Sequence, residues 1–124
     1  MKRVLILDND PDVLDVMNEA LTYEGFDVVC FSETDDAIAL VKKHDPDLLI
    51  IDYILSGING GELCRQVKTN KLTADLPVVL VSAYPRVLQS SGDYDCDDFI
   101  PKPFDLEDLV ERIKKLTENN MHVI

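Results

Sequence analysis

Five short apolar runs, separated by stretches of helical spacing, constrain this chain more than any other feature. They are residues 3–7 (Arg-Val-Leu-Ile-Leu), 27–31 (Asp-Val-Val-Cys-Phe), 47–51 (Asp-Leu-Leu-Ile-Ile), 77–81 (Pro-Val-Val-Leu-Val) and the short pair Phe99-Ile100. Apolar runs without alternation read as strands buried on both faces. Strands that alternate with helices must be joined by right-handed crossovers, which gives a parallel sheet covered on both sides. The expected fold is therefore α/β, a doubly wound five-stranded parallel sheet in three layers.

The helical stretches carry their own start and stop signals. Asp10 before Pro11 reads as an N-cap followed by proline at the first helical position, with Asp12 suiting the helix dipole. Val13, Leu14, Val16, Met17, Ala20 and Leu21 keep helical spacing, and Gly25 closes the helix. Ser32-Glu33-Thr34-Asp35 resembles a capping box for a second helix through Ala37, Ile38, Leu40 and Val41, stopped at Asp45-Pro46. A third helix is expected from Glu62 to about Asn70, with Leu63, Cys64 and Val67 inward. Asp105 caps the last helix, whose Leu106, Leu109, Val110, Ile113 and Leu116 form one stripe. Residues 84–98, with Pro85, Ser90, Ser91, Gly92 and four acids, suit at most a short helix around Val87 and Leu88.

A chain of 124 residues suits one domain, here with a core at about 2–117 and a frayed tail over 118–124. The longest apolar run is too short for a membrane span or a signal peptide, which points to a cytoplasmic protein. A net charge of −12 repels phosphate backbones and anionic membranes and favours cations or basic protein surfaces. Cys30, Cys64 and Cys96 are widely spaced and form neither a disulfide framework nor a zinc motif. His44 and His122 read as surface residues.

Function is concentrated at the strand ends. Asp8-Asn9 follow the first strand, Asp52 the third, Ser82 the fourth and Lys102 the fifth. Each has a bland explanation alone, since Asp and Ser end strands and most loop lysines are solvated. In a sheet of order 2-1-3-4-5, however, those four strands lie side by side. Their C-terminal ends then converge on the crevice where such sheets bind ligands. Two carboxylates and an amide oxygen are hard ligands for Mg²⁺, a carboxylate can act as a nucleophile toward phosphorus, and a hydroxyl and an ammonium suit phosphoryl oxygens.

The chain resembles the response-regulator receiver domains, the CheY-like family, over roughly residues 2–117. The matching stretches are Val4 to Pro11, Pro46 to Asp52, Gly60 eight residues later, Pro77 to Ala83 and Asp98 to Phe104. The resemblance implies a flavodoxin-like strand order. It implies that Asp52 accepts a phosphoryl group from a histidine kinase or phosphotransfer protein. Asp8, Asn9, Asp52 and the Ile54 carbonyl would hold Mg²⁺. Ser82 and Phe99 would be switch residues, and Lys102, joined to Pro103 by an expected cis bond, would contact the phosphoryl group. Residues 84–104 and the last helix would form the face for a downstream protein partner. Such a domain is a regulatory phosphoacceptor rather than an enzyme with a separate substrate.

Three positions depart from the family pattern. Asn9 stands where a second acid is usual, which predicts weaker Mg²⁺ binding. Asp10 is explained by capping. Phe99 replaces the usual Tyr, and the interval from Ser82 to Lys102 is about two residues short. Asn9 keeps open an alternative, a pseudo-receiver that serves as an interaction module without phosphorylation. A flavodoxin-like cofactor binder is disfavoured because no Gly-rich or Ser/Thr-rich phosphate loop follows the first strand.

Overall fold

In the computed structural model, residues 1–55, 59–84 and 95–119 are described. Five parallel strands, β1 (Arg3–Leu7), β2 (Asp27–Phe31), β3 (Leu48–Asp52), β4 (Val78–Ser82) and β5 (Asp98–Pro101), form one sheet of order 2-1-3-4-5. The described helices are α1 (Pro11–Tyr23), α2 (Ala37–His44), α3 (Gly60–Thr69) and α4 (Leu106–Asn119). The fold class expected from the sequence is the one observed.

Alternation along the strands divides the core into two layers. Val4, Ile6, Leu48, Ile50, Val79, Val81 and Ile100 face α1 and α4, where Met17, Leu21, Leu109 and Ile113 meet them. Leu5, Leu7, Leu49, Ile51, Val78 and Leu80 face α2 and α3, packing on Ala37, Val41, Leu63, Cys64 and Val67. Both faces of β1, β3 and β4 are therefore covered, which is why their sequences run apolar without alternation.

The ends of elements differ from expectation in small ways that have physical causes. β3 and β4 each lie one residue later than expected, so Asp52 and Ser82 are the last strand residues. The ladder continues that far because Tyr53 N–H donates to Val81 O at 2.9 Å and Lys102 N–H to Ser82 O at 2.9 Å. Asp47 stays outside because its carboxylate accepts from the Arg3 N–H at 2.7 Å. The α2 cap is Asp36 rather than the Ser32 pattern, with its carboxylate accepting from Ala39 N–H at 3.0 Å. Asp36 sits in extended backbone, and the Thr34 hydroxyl accepts its N–H at 3.1 Å.

α3 begins at Gly60, before Glu62, because Asn59 caps it through the Glu62 N–H at 2.9 Å. The last helix continues through Asn119, past the expected start of fraying. Buried Thr117 holds this turn by donating to Ile113 O at 2.9 Å. His44 is half-buried rather than a plain surface residue, with its ring 5.1 Å from that of Phe31. His122, Val87 and Leu88 lie outside the described residues. Asp10 caps α1 as expected, accepting from Asp12 N–H at 3.0 Å and Val13 N–H at 3.4 Å. Such a cap contributes about 1 kcal/mol. No helix among the described residues is long and apolar enough to cross a membrane.

Candidate functional site

The register of the sheet assembles the site. β1 and β3 pair up to Leu7 opposite Ile51, so Asp8 and Asp52 fall next to each other one residue further on. In β3 and β4, Asp52 is opposite Val81, and in β4 and β5, Ser82 is opposite Pro101. Asp8, Asn9, Asp52, Ser82 and Lys102 thus line one C-terminal edge of the sheet.

Alternation then sorts them. Asp8 continues the series Val4, Ile6, Asp52 continues Leu48, Ile50, and Lys102 follows Ile100, all directed to the α1–α4 side. These three side chains meet. Lys102 Nζ lies 3.1 Å from Asp8 Oδ2 and 3.2 Å from Asp52 Oδ1. Ser82 continues the opposite series, Val78 and Leu80. Its Oγ accepts from the Tyr84 N–H at 2.9 Å.

Burial makes this cluster electrostatically tense. Asp8 is 1% exposed and Asp52 5% exposed, and one ammonium serves both. Burial pushes the Asp52 carboxyl up from the ordinary carboxylate range, and the charge of Asp8 pushes it further, against the opposing pull of Lys102. Burial alone would lower the Lys102 ammonium, but its bonds to Asp8 and Asp52 outweigh that and raise it. Asp8 Oδ1 accepts the Asp10 N–H at 2.9 Å, which fixes the carboxylate while its other oxygen faces Lys102.

This donor set fits a hard divalent cation. Two buried carboxylates with one neutralising lysine leave a site with excess negative charge and oxygen ligands, the preference of Mg²⁺. Asn9 is exposed at the rim, and Ile54 lies in the turn two residues after Asp52. Asp10 is committed to its helix cap. Phe99 is half-buried against the α2–α3 layer. The Lys102–Pro103 bond is cis, as the resemblance implied.

Two features of the site were not singled out from the sequence. Gly60 N–H donates to Tyr53 O at 2.8 Å, bringing the start of α3 directly beneath the end of β3. A groove of about 450 Å³ also opens beside Lys102, lined by Asp12, Val13, Val16, Ala83, Pro103 and Phe104. Val16, read as part of the apolar spacing of α1, is 41% exposed and belongs to this groove.

The raised proton affinity of Asp52 has a consequence for stability. The folded chain binds this proton more tightly than the unfolded chain, so ionising Asp52 costs stability. The penalty is absent below the ordinary carboxyl value of about 3.9, grows as pH rises through the raised folded value, and is complete above it. Asp52→Asn, which keeps the shape without the charge, is expected to melt at a higher temperature than wild type near pH 7. The difference should shrink on acidification toward about pH 4, where the wild-type carboxyl becomes neutral. Thermal melts of both proteins across that range check it, and a less stable Asn variant at neutral pH contradicts the assignment.

Known proteins share this fold. The family model for the response regulator receiver domain matches residues 4–114. The DNA-binding dual master transcriptional regulator RpaA of Synechocystis is 31% identical over 118 residues, 94% of this chain. The chain spans about half of that relative's length, 49%. Among solved structures, a CheY-like response regulator receiver domain protein from Methanospirillum hungatei is 28% identical with a TM-score of 0.83, the match covering 96% of this chain and 95% of that one. TrrA of Thermotoga maritima, solved in complex with Mg²⁺ and BeF, is 28% identical with a TM-score of 0.77, covering 94% of this chain and 99% of its own.

Proposed function

The chain belongs to the response-regulator receiver domain family, and we propose that it is a phosphorylation switch with Asp52 as phosphoacceptor. The observation that carries this reading is Lys102, bonded at once to Asp8 and Asp52 at the C-terminal edge of the sheet. The phosphoryl donor is a phosphohistidine on a histidine kinase or phosphotransfer protein. An Asp52 carboxylate oxygen attacks phosphorus in line, the phosphorus–nitrogen bond breaks, and its electron pair returns to the imidazole of the donor. The product is an acyl phosphate on Asp52. Such transfers depend on positioning and charge neutralisation more than on covalent machinery.

Lys102 swings from the Asp52 carboxylate to the incoming phosphoryl oxygens, to which it offers a point charge. Mg²⁺ would be held by Asp8 and Asp52, with the Asn9 amide and the Ile54 carbonyl completing the protein ligands. When bound it neutralises phosphoryl charge as a Lewis acid. Asn9 brings no charge, so its affinity is weaker than with two adjacent acids. The groove beside Lys102, apolar on Val13, Val16 and Phe104, supports docking of the donor protein next to Asp52.

After transfer, Ser82 gives up its bond with the Tyr84 N–H and turns its hydroxyl to the phosphoryl group. The change biases an existing equilibrium in residues 84–104, with Phe99 repacking, and is read by a protein partner at this face and α4. Residues 85–94 of that face lie outside the described residues. The role is regulatory and cytoplasmic, with neither membrane nor nucleic acid bound directly by a domain of charge −12.

Exposed, uncharged Asn9 favours one competing reading, a pseudo-receiver that binds partners without phosphorylation. The two separate in one experiment. Incubation with acetyl phosphate and Mg²⁺ should add the mass of one phosphoryl group to the wild type and none to Asp52→Ala. Omitting Mg²⁺ should reduce the gain sharply. Wild type that gains nothing from acetyl phosphate or from a phosphorylated histidine donor supports the pseudo-receiver instead.

A further inference from the structure

A second chemical site lies on the opposite layer of the sheet, away from Asp52. Cys64 is fully buried on α3, and Cys96 is half-buried two residues before β5, packed against the same α2–α3 layer. Their thiols are hydrogen-bonded to each other. One helical turn along α3, on the same face, Lys68 reaches the next residue of the same segment, with Nζ 2.9 Å from Asp97 Oδ2. Two side chains one turn apart on α3 thus engage two successive residues of the segment that leads into β5.

The segment is held firmly at this point. Asp97 Oδ2 also accepts the Val78 N–H at 2.7 Å, and Asp97 N–H donates to Val78 O at 2.9 Å. Lys68 Nζ donates to Leu76 O at 3.0 Å as well. Cys96 is therefore placed against Cys64 by its neighbour's backbone and side-chain bonds, not by a chance loop conformation. Cys30 belongs to the other layer, packed against the α1–α4 side, and is remote from this pair.

We propose that Cys64 and Cys96 form a redox-reversible disulfide that clasps α3 to the start of β5. The oxidant is a small-molecule disulfide. The Cys96 thiolate, which reaches the surface, attacks one sulfur of the oxidant, and a mixed disulfide forms as one small thiol leaves. Cys64 then loses its proton, attacks the Cys96 sulfur and expels the second small thiol. Two electrons and two protons pass from the protein to the oxidant. While Cys96 is a thiol, its hydrogen bond and then burial keep Cys64 protonated. Capping Cys96 removes the largest of these effects, and Lys68 then favours the Cys64 thiolate against the remaining burial and the charge of Asp97. The bond spans from the helix that begins beneath Asp52 to the strand that ends beside Lys102, and it is independent of phosphoryl chemistry.

The test uses the full chain in oxidised glutathione, quenched with acid, alkylated and weighed intact. Two of the three thiols should disappear together, so that the oxidised chain takes up one alkyl group where the reduced chain takes up three, and peptide mapping should join Cys64 to Cys96. Reductant should restore all thiols. Cys30→Ser should react as wild type. Cys96→Ser, a change at a half-buried position, should lose the internal bond while its melting transition shows that it remains folded. In strong denaturant the preference for this pair should vanish. A stable glutathione adduct on Cys96 that never resolves, or a linked pair that includes Cys30, overturns the proposal.

Discussion

Gly60→Ala is expected to be the most damaging single substitution in the described part of this domain. A β-carbon at residue 60 would stand 2.0 Å from the Asp52 carbonyl oxygen, and 2.8 Å from both the Asp52 carbonyl carbon and Ile51 Cγ2. Two of those atoms are backbone of a central strand, so rotation of a side chain cannot relieve the clash. α3 would have to withdraw from β3, breaking the bond from Gly60 N–H to Tyr53 O and leaving Leu63, Cys64 and Val67 poorly packed. Overpacking on this scale costs about 3 kcal/mol or more, a large part of the roughly 5–15 kcal/mol that holds a domain together. The midpoint of thermal unfolding should fall by roughly 10 °C or more. Gly25→Ala is the informative comparison. Gly25 has φ +96 but open space around it, so alanine there brings backbone strain of about 1–2 kcal/mol without a clash. Equal losses at the two positions, in denaturant or thermal melts, contradict the steric argument.

Lys102→Ala is expected to have the largest effect on phosphoryl transfer short of removing Asp52. The ammonium is the positive charge bonded to both buried carboxylates. Without it, Asp52 keeps the upward push of burial and of Asp8 but loses the opposing pull, so its proton affinity rises further. The developing charge on the phosphoryl oxygens also loses its donor. Removing a preorganised donor of this kind costs on the order of 10²-fold in rate. Mg²⁺ should respond in the other direction. With no ammonium competing for Asp8 and Asp52, the cation should bind more tightly to Lys102→Ala than to wild type. Phosphorylation rates with acetyl phosphate, together with a Mg²⁺ titration of each protein, measure both effects. A variant that phosphorylates at the wild-type rate, or binds Mg²⁺ more weakly, would falsify the role given to Lys102.

Much of this architecture is legible in the chain because burial on two faces leaves a distinctive mark. Leu48 to Ile51 and Val78 to Val81 cannot be half-exposed strands, and once they alternate with capped helices the sheet is nearly determined. The site follows from residue type at strand ends, since register alone brings Asp8 beside Asp52. What the chain conceals is contact across long separations. Nothing near Lys68 announces Asp97, and Cys64 and Cys96 lie on elements that meet only after the sheet has closed. Gly60 was visible as part of a motif, but the 2.0 Å approach that requires glycine belongs to the folded packing of α3 on β3. Helix ends are ambiguous in the sequence where neighbours compete. Several acids and hydroxyls precede α2, and only the backbone geometry selects Asp36 as the cap. α4 continues because Leu116 packs on the core and Thr117 is buried, which local composition does not reveal.

The measurement that reaches the central proposal most directly is reductive trapping of the phosphorylated chain. Borohydride converts an aspartyl phosphate to homoserine and leaves an ordinary aspartate unchanged. Wild type treated with phosphodonor, Mg²⁺ and borohydride, then fragmented, should carry homoserine at residue 52 and aspartate at residues 8 and 10. Homoserine at another acidic residue, with Asp52 intact, would contradict the account.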